Sequence, residues 1–134
     1  MDEIDLELTD AVSRGDVDTV AMWVTSGRVD VNVPDRDGDV PLLVAAKKNQ
    51  CAMVEVLLQY GAWLDAVDAH GWTALMEAAL HGHEDVVRVL LKWGCEKSLR
   101  NAEGLHALDI AVQYGHGQIV FLLCEGHDPG VGFF

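Results

Sequence analysis

Apolar and polar residues recur along this chain with the period of a helix, in short stretches punctuated by glycine. In Asp85-Val86-Val87-Arg88-Val89-Leu90-Leu91-Lys92, apolar residues fall at i, i+3 and i+4 with charges between, which puts Val86, Val89 and Leu90 on one face. The pattern repeats. Gly38, Gly71 and Gly104 are evenly spaced, with a period of 33, and the apolar positions after them match in register: Leu42, Leu75 and Leu108; Ala45, Ala78 and Ala111; Val54, Val87 and Val120; Leu57, Leu90 and Leu123. A second punctuation column holds Asn49, Gly82 and Gly115, and a third holds Gly61 and Gly94. Each unit therefore predicts a helix, a turn, a second helix and a loop.

The same template slides back to the N-terminus, where Leu8, Ala11, Gly15, Val20, Trp23 and Gly27 occupy the equivalent columns. The loop through Arg28-Val29-Asp30 carries one inserted residue, which a loop tolerates. This divides one domain, residues 1–134, into units 1–34, 35–67, 68–100 and 101–126 and a tail 127–134. Gly61 and Gly94 suit a left-handed helix C-terminus, where a side chain would be strained. Thr73 is placed to cap a helix N-terminus through its hydroxyl, a contribution of about 1 kcal/mol.

A helix-turn-helix unit of this period, containing Gly-Trp-Thr-Ala-Leu-Met-Glu-Ala-Ala at 71–79 and Gly82-His83, resembles the ankyrin repeat. The family's Thr-Pro-Leu-His run corresponds here to Val40-Pro41-Leu42-Leu43, Thr73-Ala74-Leu75-Met76 and His106-Ala107-Leu108-Asp109. The resemblance covers nearly the whole chain. It implies an all-α fold, an ankyrin-repeat solenoid of four stacked helix-turn-helix units with β-hairpin-like loops. In such a stack each unit buries its apolar face against its neighbours, and the end units present polar outer surfaces. The resemblance also implies that His83 and His116, in the Gly-His turn, hydrogen-bond neighbouring backbone.

Charge then narrows the partners. Nine basic and 22 acidic side chains give a net charge of −13, and the first 37 positions alone hold ten of those acids. Such a chain repels phosphate backbones and anionic lipid, so nucleic acid and membrane are excluded as partners. The first helix, with Asp2, Glu3, Asp5, Glu7 and Asp10 among Ile4, Leu6 and Leu8, is suited to a solvated end cap. At the other end, either Val131, Phe133 and Phe134 fold over the last unit or the chain is the leading part of a longer protein, the latter being favoured. The domain is expected to be a monomer or part of that longer chain. The apolar run Ile119–Cys124 is far below the roughly 20 residues of a membrane span. An acidic N-terminus and three cysteines with no C-x-x-C pair, Cys51, Cys95 and Cys124, point to reduced thiols packed in the core and an intracellular setting, cytoplasmic or nuclear.

No motif carries catalytic chemistry. His81-Gly-His83 lacks the further ligands a zinc site needs, and Gly115-His-Gly117 lacks the third glycine of a dinucleotide site. Catalytic residues, metal and cofactor are all expected to be none.

By resemblance, ankyrin-like domains bind partners with their hairpin tips and the exposed side of each first helix, which line a concave face. Those columns hold Arg36, Asp37, Asp39, Lys47 and Lys48 in the second unit; Ala69, His70, Trp72, Leu80 and His81 in the third; and Ala102, Glu103, Leu105, Gln113 and Tyr114 in the fourth. Trp72, Leu80, Leu105 and Tyr114 bring apolar side chains together there, with Trp72 and Tyr114 as expected anchors. Trp23 and Trp93 are expected to pack; Trp63 lies in a loop with no assigned role. The leading expectation is a non-catalytic protein-interaction module, adaptor or scaffold. One alternative is a reader of a basic peptide such as a histone tail, because Gly71-Trp72-Thr73 with Asp68 and Glu77 is similar to a segment of tail-reading ankyrin domains, although Ile110 replaces their second acid. Another is a direct inhibitor of an enzyme or filament end.

Overall fold

The computed structural model describes residues 3–125, with side chains described from residue 8 to residue 124. The placement expected for Val131, Phe133 and Phe134 lies outside the described residues, as do the side chains from Asp2 to Glu7. Eight helices follow in order: α1 Glu3–Arg14, α2 Val17–Thr25, α3 Pro41–Lys47, α4 Cys51–Gln59, α5 Ala74–His81, α6 Glu84–Lys92, α7 Ala107–Gln113 and α8 Gly117–Glu125. They pair as α1/α2, α3/α4, α5/α6 and α7/α8. First helices pack in the series α1, α3, α5, α7, and second helices in the series α2, α4, α6, α8. The four-unit all-α stack read from the sequence is the fold observed.

Local chemistry explains the element boundaries. Thr73 accepts the Met76 amide N–H at 3.2 Å, capping α5 as expected. One unit later His106 takes that role: its Nδ1 accepts the Asp109 N–H at 3.2 Å while Asp109 accepts the His106 N–H at 3.1 Å, a capping box that spacing alone did not reveal. Gly82 ends α5 with φ of +74°. A β-carbon there would also stand 2.8 Å from His116 Cε1, so two constraints require glycine at this turn. Asn49, in the same column, is the single non-glycine residue with positive φ among those described.

The core is a continuous cluster running through all four units, from Leu8 and Val12 to Ile119 and Leu123. Each unit is keyed to the one before it by a side-chain donor. Gln50 Nε2 donates to the Ser13 carbonyl at 3.0 Å, His83 Nε2 to the Lys47 carbonyl at 2.9 Å, and His116 Nε2 to the Leu80 carbonyl at 3.0 Å. The histidine bonds are those the resemblance implied, and Gln50 extends the ladder one step further. Asp16 holds the corresponding place in the first unit, where its carboxylate accepts the Thr19 N–H at 3.3 Å and caps α2.

Candidate functional site: the hairpin and first-helix face

The loops between units are shaped by another column of the same period, Asp35, Asp68 and Asn101. Asp35 Oδ1 accepts from the amides of Asp37 and Asp39 at 2.9 and 3.0 Å, Asp68 Oδ1 from those of His70 and Trp72 at 2.8 and 3.0 Å, and Asn101 Oδ1 from those of Glu103 and Leu105 at 2.9 and 3.1 Å. One carbonyl-type oxygen thus closes each tip by satisfying two backbone donors. Each tip is tied at its base as well, the amide of residue 35, 68 or 101 donating to the carbonyl of Asp39, Trp72 or Leu105. The Ala102 amide donates to the His70 carbonyl at 2.9 Å, joining the third and fourth hairpins. An isolated antiparallel bridge, Val67 to Thr73, gives the third loop its β-hairpin character.

These tips deliver Asp39, Trp72 and Leu105 to one column, and the first helices add Lys47, Leu80 and Gln113, then Lys48, His81 and Tyr114. Exposure separates the members. Tyr114 is 52% exposed, and Lys48, His70, His81, Glu103 and Gln113 are exposed with it. Trp72, Leu80 and Leu105 are only half-buried, each packed against the core, so they offer an edge where the sequence suggested a full apolar surface. Asp39 is buried, a departure from its expected place on an open surface. Trp23 packs against the core as expected, whereas Trp93 is exposed and its indole donates to Glu55 at 3.0 Å. Trp63, in its loop, is 65% exposed.

The charged groups of this face are concentrated between the second and third units. Lys47 Nζ donates to Asp39 Oδ2 at 2.8 Å and lies 3.9 Å from Glu77 Oε2. On the far side, His81 Nε2 is 3.9 Å from Glu77 Oε1, and the His81 ring stacks on His83 at 5.6 Å. Burial works against charge on Lys47, but the bond to Asp39 and the fields of Glu77, Asp39 and Asp68 prevail and raise its pKa. Burial pushes the Glu77 carboxyl upward, with Asp68 and Asp39 adding to the shift and Lys47 opposing it. Desolvation, then the neighbouring His83, Lys47 and His116, lower the His81 pKa and favour its neutral form.

Glu77 is the residue that the anchor columns overlooked. It sits on α5 where the neighbouring units carry Val44 and Ile110, both buried, and its side chain is only 8% exposed. Its position in an otherwise apolar column was visible as a break in the hydrophobic pattern.

Among the described residues, no group of three or more His, Cys, Asp or Glu side chains could hold a metal ion. Burial, with the charge of Asp65, pushes the Cys95 thiol up to about 12, and burial raises Cys51 too, so neither is a ready thiolate. No described helix is long and apolar enough to cross a membrane.

Stacked helix pairs keyed by a turn histidine and joined by hairpin tips define a class of repeat scaffold. Residues 8–101 match the family model for ankyrin repeats (three copies) and residues 103–131 match that for a single ankyrin repeat. The chain belongs to the ankyrin repeat family, whose repeats are generally protein-binding modules. It is 37% identical over 57 residues to the palmitoyltransferase akr1 of Schizosaccharomyces pombe, a match covering 42% of this chain and 9% of that protein. It is 30% identical over 74 residues to a putative ankyrin repeat protein of Rickettsia bellii, covering 52% of this chain and 44% of the relative. The chain thus spans less than half the length of either relative.

Proposed function

We propose that this domain is a non-catalytic protein-interaction module, an adaptor or scaffold, that receives a protein partner along the concave face of its third and fourth units. The observation that carries this reading is the uncharged edge formed there by half-buried Trp72, Leu80 and Leu105, with exposed Tyr114 one position beyond. Aromatic side chains of this kind bury a large area with few rotatable bonds and commonly dominate interface energetics. His70, His81, Glu103 and Gln113 surround that edge with polar groups, while Asp39, Lys47 and Lys48 extend it on the second unit.

Purified domain and the Trp72→Ala, Tyr114→Ala double variant, matched by circular dichroism, are compared for capture of partners from lysate and then for affinity to each purified partner. The expected outcome is at least a tenfold loss of affinity in the folded double variant. Undiminished affinity would place binding elsewhere, and the acidic first unit would be the next surface to test.

A second reading, recognition of a basic peptide such as a histone tail, is favoured by the buried Glu77 carboxylate in the third unit, which feels the negative charge of Asp68 and Asp39. Its binding would weaken steeply with salt, whereas binding through the uncharged edge would tolerate salt. An inhibitor of a partner enzyme or filament end would use the same face. It is distinguished by whether saturating domain lowers the partner's activity.

A further inference from the structure

The second helices of the two inner units both end on an aromatic residue. Tyr60 stands at the C-terminus of α4 and Trp93 at that of α6, one full period apart, and both are exposed. Trp63 follows in the loop after α4 and is the most exposed large hydrophobic side chain among the described residues. All three belong to the layer of second helices and lie outside the columns of the hairpin and first-helix face. Their backbone is pinned on both sides: the Trp63 amide donates to Asn32 Oδ1 at 2.9 Å, Asn32 Nδ2 to the Gly61 carbonyl at 3.1 Å, and the Glu96 amide to Asp65 Oδ1 at 3.0 Å. Rings held on such a backbone can be covered at little cost in ordering. Their surroundings offer little free charge. Glu55 is engaged by Lys92 Nζ at 3.5 Å and by the Trp93 indole at 3.0 Å, Asp65 by the Glu96 amide, and Glu96 by the Ser98 hydroxyl at 2.8 Å. What remains open is a pair of donors, since the Trp63 indole N–H and the Tyr60 hydroxyl make no hydrogen bond among the described residues.

We propose that Tyr60, Trp63 and Trp93 form a docking platform for an uncharged, proline-rich segment in the polyproline II conformation, running along the stack across the second and third units. Such a strand turns every three residues and rises about 3.1 Å at each, so its like-facing positions stand about 9 Å apart. Packed helices lie about 8–10 Å apart. Tyr60 and Trp93 terminate two helices that pack on one another, so the two rings repeat at the step of the strand. The chemistry matches as well as the spacing. Proline rings lie flat on aromatic faces, and the carbonyls of the strand, unbonded within it, are acceptors for the Trp63 and Tyr60 donors. Proline also brings no N–H of its own, which suits a surface whose acids are already engaged. A helix would keep its carbonyls for itself, and a β-strand would bring N–H groups along with them. The balanced charge of Glu55 and Lys92 beside Trp93 likewise fits an uncharged segment better than a basic one.

The test titrates decaproline into the full ¹⁵N-labelled chain and follows the indole resonances of Trp63, Trp93 and Trp72. A saturable shift of the Trp63 and Trp93 resonances is expected, with that of Trp72 unmoved. Trp63→Ala, at an exposed loop position, should weaken binding at least fivefold as read at Trp93. Trp93→Leu, which keeps an apolar cover without a flat ring, should do the same as read at Trp63 and serves if Trp63→Ala loses its helical signal. Trp72→Ala should stay within twofold of wild type, so this platform and the concave face succeed or fail separately. A glycine-serine peptide of equal length carries the same carbonyls without proline rings and should leave both resonances in place. The proposal is overturned by the absence of a saturable shift at millimolar decaproline, by equal shifts with the glycine-serine peptide, or by undiminished affinity in both Trp63→Ala and Trp93→Leu. Tighter binding of hexalysine than of decaproline at these two indoles would overturn it too, in favour of a basic partner.

Discussion

The boundary between the second and third units and the boundary between the third and fourth follow one backbone plan and carry different chemistry. At both, a histidine of the later unit donates to a carbonyl at the end of the earlier unit's first helix, at 2.9 and 3.0 Å. At the first boundary, however, the residue giving that carbonyl is Lys47, whose side chain also reaches Asp39 and approaches Glu77. At the second it is Leu80, and the columns of Asp39 and Glu77 hold Trp72 and Ile110, neither of them charged. Residues that hold units together and residues that address the surface therefore occupy separate columns, and the second set can change while the first stays constant.

The largest expected effect comes from breaking the second boundary alone. Gly82→Ala forces a side chain into a left-handed position and against the His116 ring, and should cost about 2–3 kcal/mol in denaturant unfolding. Hydrogen exchange should show the loss concentrated in α7 and α8, with α3 and α4 protected as before. Removing one rung at a time, His83→Ala and His116→Ala, should each cost about 1–2 kcal/mol, close to equal despite the different surfaces above them. His116→Gln should recover much of that, since Gln50 makes the same bond two rungs earlier; a Gln variant no better than Ala would show that the ring's packing on Gly82 matters more than its donor.

The smallest effect sharpens the difference between the two boundaries. Glu77→Gln removes a buried charge whose pKa is raised in the folded state and should stabilise the domain by about 1 kcal/mol at pH 7. For an acid with a raised pKa, the stabilising contribution is present below the ordinary carboxyl range and lost as pH rises through the folded value. The gap between variant and wild type should accordingly close as pH falls toward 4, measured by chemical denaturation at both values. A destabilised Glu77→Gln would mean that attraction to Lys47 outweighs burial.

Much of the scaffold was legible in the sequence because a stack repeats its solution. The columns of Leu42, Ala45, Val54 and Leu57 recur once in every period; they are buried in the second and third units, and in the fourth Ala111 and Leu123 are buried while Leu108 and Val120 are half-buried against the core. The hairpin column Asp35, Asp68, Asn101 has the same spacing, but its residues are polar and lie outside the apolar register that marks the repeat. His106 was hidden for another reason, since an imidazole in place of Thr73 caps through a nitrogen that residue type does not advertise. The binding face was less legible. Whether Trp72, Leu80 and Leu105 stand out or lean on the core depends on side-chain angles that periodicity does not encode, and Asp39 reads as a surface acid until Lys47 is seen beside it. Trp93 misled in the opposite direction: a large apolar side chain suggested packing, but its place at the end of α6 leaves it exposed, with a bond to Glu55.

The ladder that begins with Gln50 also bears on how a chain of this type can lengthen. Any internal run of one full period, once duplicated, brings its own donor and finds a waiting carbonyl in the copy before it, so new length can be added in the middle with every rung intact. A duplicate of the first unit placed inside the stack would instead set the Asp16 carboxylate against a backbone carbonyl, two acceptors with no proton between them. Copying from within extends the array, and copying from its leading edge interrupts it.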